Sequence, residues 1–191
     1  MPKKLNSMAV YCGHQFGASP RFAGDAAKIG MLMAKHKIRL VFGGGDVGLM
    51  GMVAQAALEN GGEVLGVSTH DVIARQEPVH SGIESVIVNG INERKQRMYE
   101  ESDAFCILPG GFGTLNELTD IITMHQVGES RKPIYFLDTD GYWDIFIQVF
   151  RHMSHAGFIS EVADYNMKFF TSPEELIENY IKDNEWKTLT A

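Results

Sequence analysis

Two cysteines, Cys12 and Cys106, are all that the 191 residues contain. That is too few for a disulfide framework, and both stand in apolar runs that read as small buried side chains in a reducing compartment. Long uncharged apolar runs are also missing. The best candidate, Leu40 to Leu58, holds five glycines and Asp46, poor material for a membrane span. Positive charge is scarce: 17 Lys and Arg against 24 Asp and Glu leave a net charge of −7. A general nucleic-acid-binding surface is thereby disfavoured, and any anionic ligand must be held by a local cluster. No apolar h-region follows Met1-Pro2-Lys3-Lys4, so a cytoplasmic protein without a secretory signal is expected. Internal repeats, linkers and low-complexity segments are absent as well. With 45% hydrophobic and 21% charged residues, the composition excludes disorder and fibre. It predicts a single domain over 1–191 that buries roughly 70% of its unfolded surface.

What the sequence has in surplus is glycine. Twenty are present against about 13 at average usage, and eight of them fall in two windows, Gly43 to Gly51 and Gly110 to Gly113. Around these windows short apolar runs alternate with longer amphipathic segments. Strands are predicted over 8–12, 39–42, 63–67, 85–88, 104–108 and 133–137. Helices are predicted from Ser19-Pro20, an N-cap with proline in the first turn, to about 36, and from the first glycine window to about 60. Further helices are expected over 91–102, 114–127 and 142–155, and a last one opens at the capping box Ser172-Pro173-Glu174-Glu175. This alternation predicts an α/β fold, a parallel sheet with helices on both faces. Ligands of such sheets bind on the loops that leave the carboxyl ends of the strands.

Both glycine windows are such loops. Gly43-Gly44-Gly45-Asp46-Val47-Gly48 follows a strand and opens a helix, where unpaired N–H groups and the positive dipole end favour a phosphate. The spacing of Gly43, Gly45 and Gly48 fits G-x-G-x-x-G, but it follows the second strand, and no Gly-Lys-Ser/Thr is present to make a P-loop. A tight turn with close helix–strand packing explains the same glycines. Pro109-Gly110-Gly111-Phe112-Gly113-Thr114-Leu115-Asn116-Glu117 repeats the device. Thr114 and Glu117 have capping-box spacing, which makes Glu117 either a structural cap contributing about 1 kcal/mol or a carboxylate facing a sugar or a developing cation. Between the windows, Glu93-Arg94-Lys95-Gln96-Arg97 places three basic residues in four positions of a helix with little apolar surface. It is either a solvated face laced by ion pairs or the wall of a polar site.

Gly43-Gly44-Gly45-x-x-Gly48-Leu49-Met50-Gly51, Glu93-Arg94-Lys95-x-x-Met98 and Pro109-Gly110-Gly111-x-Gly113-Thr114-x-x-Glu117 together resemble the LOG (Lonely Guy) family. These are cytokinin-activating nucleoside 5′-monophosphate phosphoribohydrolases, often mislabelled as lysine decarboxylases. The similarity runs from about residue 8 to 160 and includes Lys132-Pro133, Asp140-Gly141-Tyr142 and Gly157-Phe158-Ile159. It implies a Rossmann-like fold, a homodimer, and hydrolysis of the N-glycosidic bond of a nucleotide to free base and ribose 5-phosphate, with no cofactor. It further implies Arg94 and Glu117 as the catalytic pair, and Lys95, the loop Gly110, Gly111, Gly113 and Thr114, Thr123 and Glu77 as ligand contacts; Gly43, Gly44 and Gly45 are expected to bind the substrate's phosphate with them.

The sequence departs from that family at His14-Gln15-Phe16, Ser68-Thr69, Asn92 and Met124-His125, positions expected around the base and ribose. A non-catalytic nucleotide-binding or sensor module is the alternative, and an NAD(P)-dependent oxidoreductase rests on G-x-G-x-x-G alone. His152 and His155 lack a third metal ligand. Lys95, within a basic cluster suited to anions, is poor material for a Schiff base.

Overall fold

The computed structural model of the protein describes residues 7–74, 83–161 and 165–189. Among these, seven strands share one sheet in which every neighbouring pair is parallel: β1 (Ser7–Tyr11), β2 (Arg39–Phe42), β3 (Val64–Thr69), β4 (Glu84–Val88), β5 (Ala104–Ile107), β6 (Ile134–Leu137) and β7 (Met167–Phe170). Their order is β4-β3-β2-β1-β5-β6-β7. The helices are α1 (Pro20–Lys35), α2 (Gly48–Glu59), α3 (His70–Ile73), α4 (Ile91–Glu100), α5 (Phe112–Gln126), α6 (Asp144–His155) and α7 (Pro173–Leu189), with a 3₁₀ turn at Thr139–Gly141.

The strands are apolar on both faces, as a sheet covered on both sides requires. Met8, Val10 and Cys12 point with Leu40, Phe42, Cys106 and Tyr135 toward α1, α2 and α7. The intervening Ala9 and Tyr11 point with Val41, Val67, Phe105 and Phe136 toward α4, α5 and α6. Cys12 and Cys106 are free and buried. Burial raises both thiols well above the ordinary range, with the Glu117 charge also acting on Cys12.

The local signals hold where they were read. Ser19 is the N-cap of α1 and accepts a hydrogen bond from Arg21 N–H at 3.3 Å, and Ser172 accepts from Glu175 N–H at 3.2 Å at the start of α7. Two elements are additions. The β7 strand is a half-buried edge containing Lys168, which pairs with Asp183 at 2.5 Å, and so lacks the apolar run that marks the central strands. The single-turn α3 is capped by Thr69, whose hydroxyl accepts from Val72 N–H at 3.2 Å.

The strand order reverses direction between β1 and β5, so the chain leaves β1 toward one face and β5 toward the other. A crevice opens between those two loops, the place where such sheets bind ligands.

Candidate active site

Arg94 lies in the first turn of α4 and is 7% exposed. Its guanidinium donates three hydrogen bonds: Nε to the Val67 carbonyl at 2.9 Å, Nη2 to the Gly43 carbonyl at 3.0 Å, and Nη1 to Glu117 Oε1 at 3.1 Å. The first two acceptors stand within β3 and just past the end of β2, so the rigid fork ties α4 to the sheet while holding a carboxylate. Burial raises the Glu117 carboxyl above the ordinary range, against the opposing pull of Arg94 and Lys95. Lys95 pairs with Asp120 at 2.6 Å. Two consecutive residues of α4 thus bridge to two residues one turn apart on α5. The cluster is both things composition allowed: Arg94 and Lys95 face inward, while Arg97 pairs outward with Glu101 at 2.7 Å.

A cavity of about 180 Å³ lies between the bridged helices, lined among others by Tyr11, Lys95, Tyr99, Glu117, Asp120 and Met124. A second, of about 230 Å³, occupies the crevice between the loops after β1 and β5, with Gly13, Phe16, Phe22, Gly110, Gly111 and Tyr142 in its wall. Tyr142 donates its hydroxyl to the Gly110 carbonyl.

The two glycine windows do different work. At the start of α2, Leu49 and Met50 N–H both donate to the Gly13 carbonyl, at 3.0 and 3.3 Å, and Gly51 N–H donates to Val47. That helix end is closed by the chain itself, an approach that requires Gly48: its φ is +63°, and a Cβ there would lie 2.2 Å from the His14 carbonyl carbon. Gly43 seats the arginine, since a Cβ on it would lie 1.9 Å from Arg94 Nη2. Gly44 and Gly45 continue this buried turn.

The start of α5 is open. Gly111 is its N-cap with no side-chain bond, and the first intrahelical bond runs from Leu115 N–H to the Gly111 carbonyl. The N–H groups of Phe112, Gly113 and Thr114 precede that bond and have no acceptor within the helix. A Cβ on Gly111 or Gly113 would meet nothing within 4 Å. Thr114 is in the first turn of the helix and is not its cap. Glu117, in the second turn, is no part of a capping box, and its partner is Arg94.

Of the remaining anticipated contacts, Thr123 is on the exposed side of α5 with its hydroxyl donated to the Thr119 carbonyl at 2.8 Å, outside both cavity walls, and Glu77 lies outside the described residues. Among the departures, Asn92 and Met124 line the first cavity and His14, Gln15 and Phe16 the second. His125 is buried with Nδ1 2.8 Å from the Tyr165 carbonyl oxygen, and burial lowers its pKa. Ser68 is buried beside Gly44, and its hydroxyl has no partner among the described residues. Sequence reasoning missed Tyr11 and Asp120. Strand alternation from Ala9 and i+3 spacing from Glu117 are the signals that place them on this side.

A doubly wound α/β protein is defined, with a paired acid and guanidinium beside an uncapped helix N-terminus. A family profile described as "Possible lysine decarboxylase" matches residues 50–180. Cytokinin riboside 5′-monophosphate phosphoribohydrolase LOG7 of Arabidopsis thaliana is 38% identical over 160 residues, 84% of this chain and 74% of that protein. The corresponding enzyme LOG of Oryza sativa subsp. japonica is 36% identical over 188 residues, 95% of this chain and 76% of that protein. Among solved structures, the molybdenum cofactor binding protein of Rippkaea orientalis superposes with a TM-score of 0.69 at 22% identity, covering 95% of this chain and 99% of that one. The Moco carrier protein of Chlamydomonas reinhardtii gives 0.70 at 17% identity, covering 96% and 99%. The last two share the fold. The chain belongs to the LOG family of phosphoribohydrolases.

Proposed function

We propose that the protein hydrolyses the N-glycosidic bond of a nucleoside 5′-monophosphate, of the AMP or cytokinin riboside monophosphate type, releasing free base and ribose 5-phosphate. The observation that carries this reading is the placement of Glu117 three residues beyond the open N–H groups of α5. A 5′-phosphate on the Phe112–Thr114 N–H groups and a carboxylate one helical rise of about 5 Å further on are spaced as a ribose ring and its 5′-methylene would need. Glu117 would then lie by C1′, where it stabilises an oxocarbenium-like state and activates the attacking water. Water supplies the hydroxyl that C1′ gains and the proton that the base carries away. Arg94 orients the carboxylate and keeps it ionised, and Lys95 adds positive potential. The base falls in the cavity between α4 and α5, where Asn92 and Met124 replace the family's usual residues, so those two positions bear on base preference.

The experiment is incubation with AMP, other 5′-monophosphates and isopentenyladenosine 5′-monophosphate, followed by chromatography for free base. Release is expected. Saturable nucleotide binding without release from any of them favours the second reading, a nucleotide-binding or sensor module, which draws on the shared fold with cofactor-binding proteins. We further propose that the whole chain is one such domain, active as a cytosolic homodimer. The support is the exposed apolar set Phe112, Ile145, Val149 and Phe158 and the free, buried thiols. Light scattering on the purified chain reads the association state.

A further inference from the structure

Tyr11 ends β1 on the face that carries Glu117, and it is 2% exposed. Its ring is stacked on Phe105 at 5.8 Å between centroids and 18° between planes, and Phe105 is stacked in turn on Tyr99 at 5.8 Å and 19°. Lys132 Nζ sits 3.8 Å from the Tyr99 ring centroid. A ring clamped in this way cannot swing, so the direction of its hydroxyl is fixed by the core. Tyr11 lines the cavity between α4 and α5, and among the described residues its hydroxyl has no hydrogen-bond partner.

The ring is packed in the core while the hydroxyl opens onto that cavity, and the neighbouring positions on this face, Ala9, Phe105 and Ile107, show that the strand packs well with no polar atom. A phenylalanine would fill the same stack. The hydroxyl adds nothing to the stack and is placed to meet what occupies the cavity. Three charged groups act on it: burial, then the negative charge of Glu117, push its pKa well above the ordinary phenol range, with Arg94 opposing and Asp120 adding to the rise. The group is a phenol at every working pH, a donor of a hydrogen bond and too weak an acid to give up its proton.

We propose that the Tyr11 hydroxyl touches the substrate, donating a hydrogen bond to a ring nitrogen of the base as the bond from C1′ to that base breaks. This rests on the phosphoribohydrolase reading: with the phosphate on α5 and C1′ at Glu117, the group reaching the cavity is the base. The electron pair of the breaking bond moves onto the base, and a donor aimed there is stronger in the transition state than in the ground state. No proton leaves Tyr11.

Tyr11→Phe in the full chain removes one oxygen and keeps the stack. Steady-state kinetics are compared on the best mononucleotide substrate and on p-nitrophenyl ribofuranoside 5-phosphate, whose leaving group departs without help. The expected result is a loss in kcat of the order of 10²-fold on the nucleotide, little change on the nitrophenyl substrate, and a melting temperature no lower than that of the wild type. Equal losses on both substrates, or no loss on either, overturn the assignment. A wild-type protein inert toward every mononucleotide overturns the reaction itself, whereas an active wild type matched by Tyr11→Phe overturns only the role of Tyr11.

Discussion

Replacing the two members of the buried pair should have unequal consequences for the fold. Arg94→Met retains the aliphatic stem but takes a hydrogen bond from each of three acceptors: the carbonyls of Val67 and Gly43 and the carboxylate of Glu117. Breaking a buried pair by removing one partner costs about 3–5 kcal/mol. For a domain of this size a change of that order lowers the melting temperature by about 6–20 °C. Glu117→Gln has the opposite character. It is isosteric, it removes the charge that burial disfavours, and Arg94 keeps both carbonyls, so the melting temperature should stay within about 4 °C of wild type. Both variants should lose base release by two or more orders of magnitude, one through a weakened fold and a misplaced carboxylate, the other through the missing charge alone. Thermal unfolding by circular dichroism, paired with chromatographic assay of free base, separates the two. An Arg94→Met protein as stable as wild type, or a Glu117→Gln protein destabilised as much as Arg94→Met, would refute the view that the arginine is shared between sheet and site while the carboxylate serves the site.

Three other outcomes follow from the same geometry. Gly43→Ala, whose Cβ would lie 1.9 Å from Arg94 Nη2, should lower kcat/KM by about 10²-fold through displacement of the guanidinium, whereas Gly111→Ala, with nothing within 4 Å, should melt like wild type; comparable melting and activity of Gly43→Ala would contradict the seating role. Glu117 acts as a carboxylate and its pKa is raised by burial, so activity should fall as pH drops, with the acid limb of kcat/KM above the ordinary carboxylate range; a pH–rate profile with its limb below that range refutes the assignment. Because phosphate binding at α5 positions the sugar, the nucleoside without phosphate should lose kcat as well as affinity, which a comparison of adenosine with AMP measures.

The fold was legible because its signals are local and redundant. Caps at Ser19 and Ser172, glycine-rich exits from β2 and β5, and apolar strands bounded by amphipathic helices all specify the same parallel sheet. The β7 strand was not legible, because a half-buried edge strand containing Lys168 carries neither a continuous apolar run nor a clear alternation. In the site, the pairing of Arg94 with Glu117 was available only through resemblance, since 23 residues and the whole of β5 separate them. The T-x-x-E spacing pointed to a cap, but a cap needs its first residue outside the helix, and α5 starts at Phe112, two residues before Thr114. Tyr11 escaped notice because in a central strand an aromatic residue is ordinary core material. Only the position of its oxygen distinguishes it from phenylalanine.

That two glycine windows should serve one anion is the inference the structure most alters. Of the N–H groups that open α2, those of Leu49 and Met50 are occupied by the Gly13 carbonyl, and the glycine at the head of that window is required by an arginine 51 residues away. The windows are complementary. Gly43 brings the guanidinium against β3 and the exit of β2, which aims its remaining arm at Glu117, while Gly111 and Gly113 leave the start of α5 bare. A carboxylate this buried would tend to take up a proton, and a bound phosphate nearby would strengthen that tendency. The fixed arginine opposes both effects, and because it is anchored to β3 and to the exit of β2 it cannot turn away to pair with the phosphate instead. An arginine held only by Glu117 would be free to do so. The close-packed glycine turn is thus what allows an anion site and an ionised carboxylate to coexist on consecutive turns of one helix.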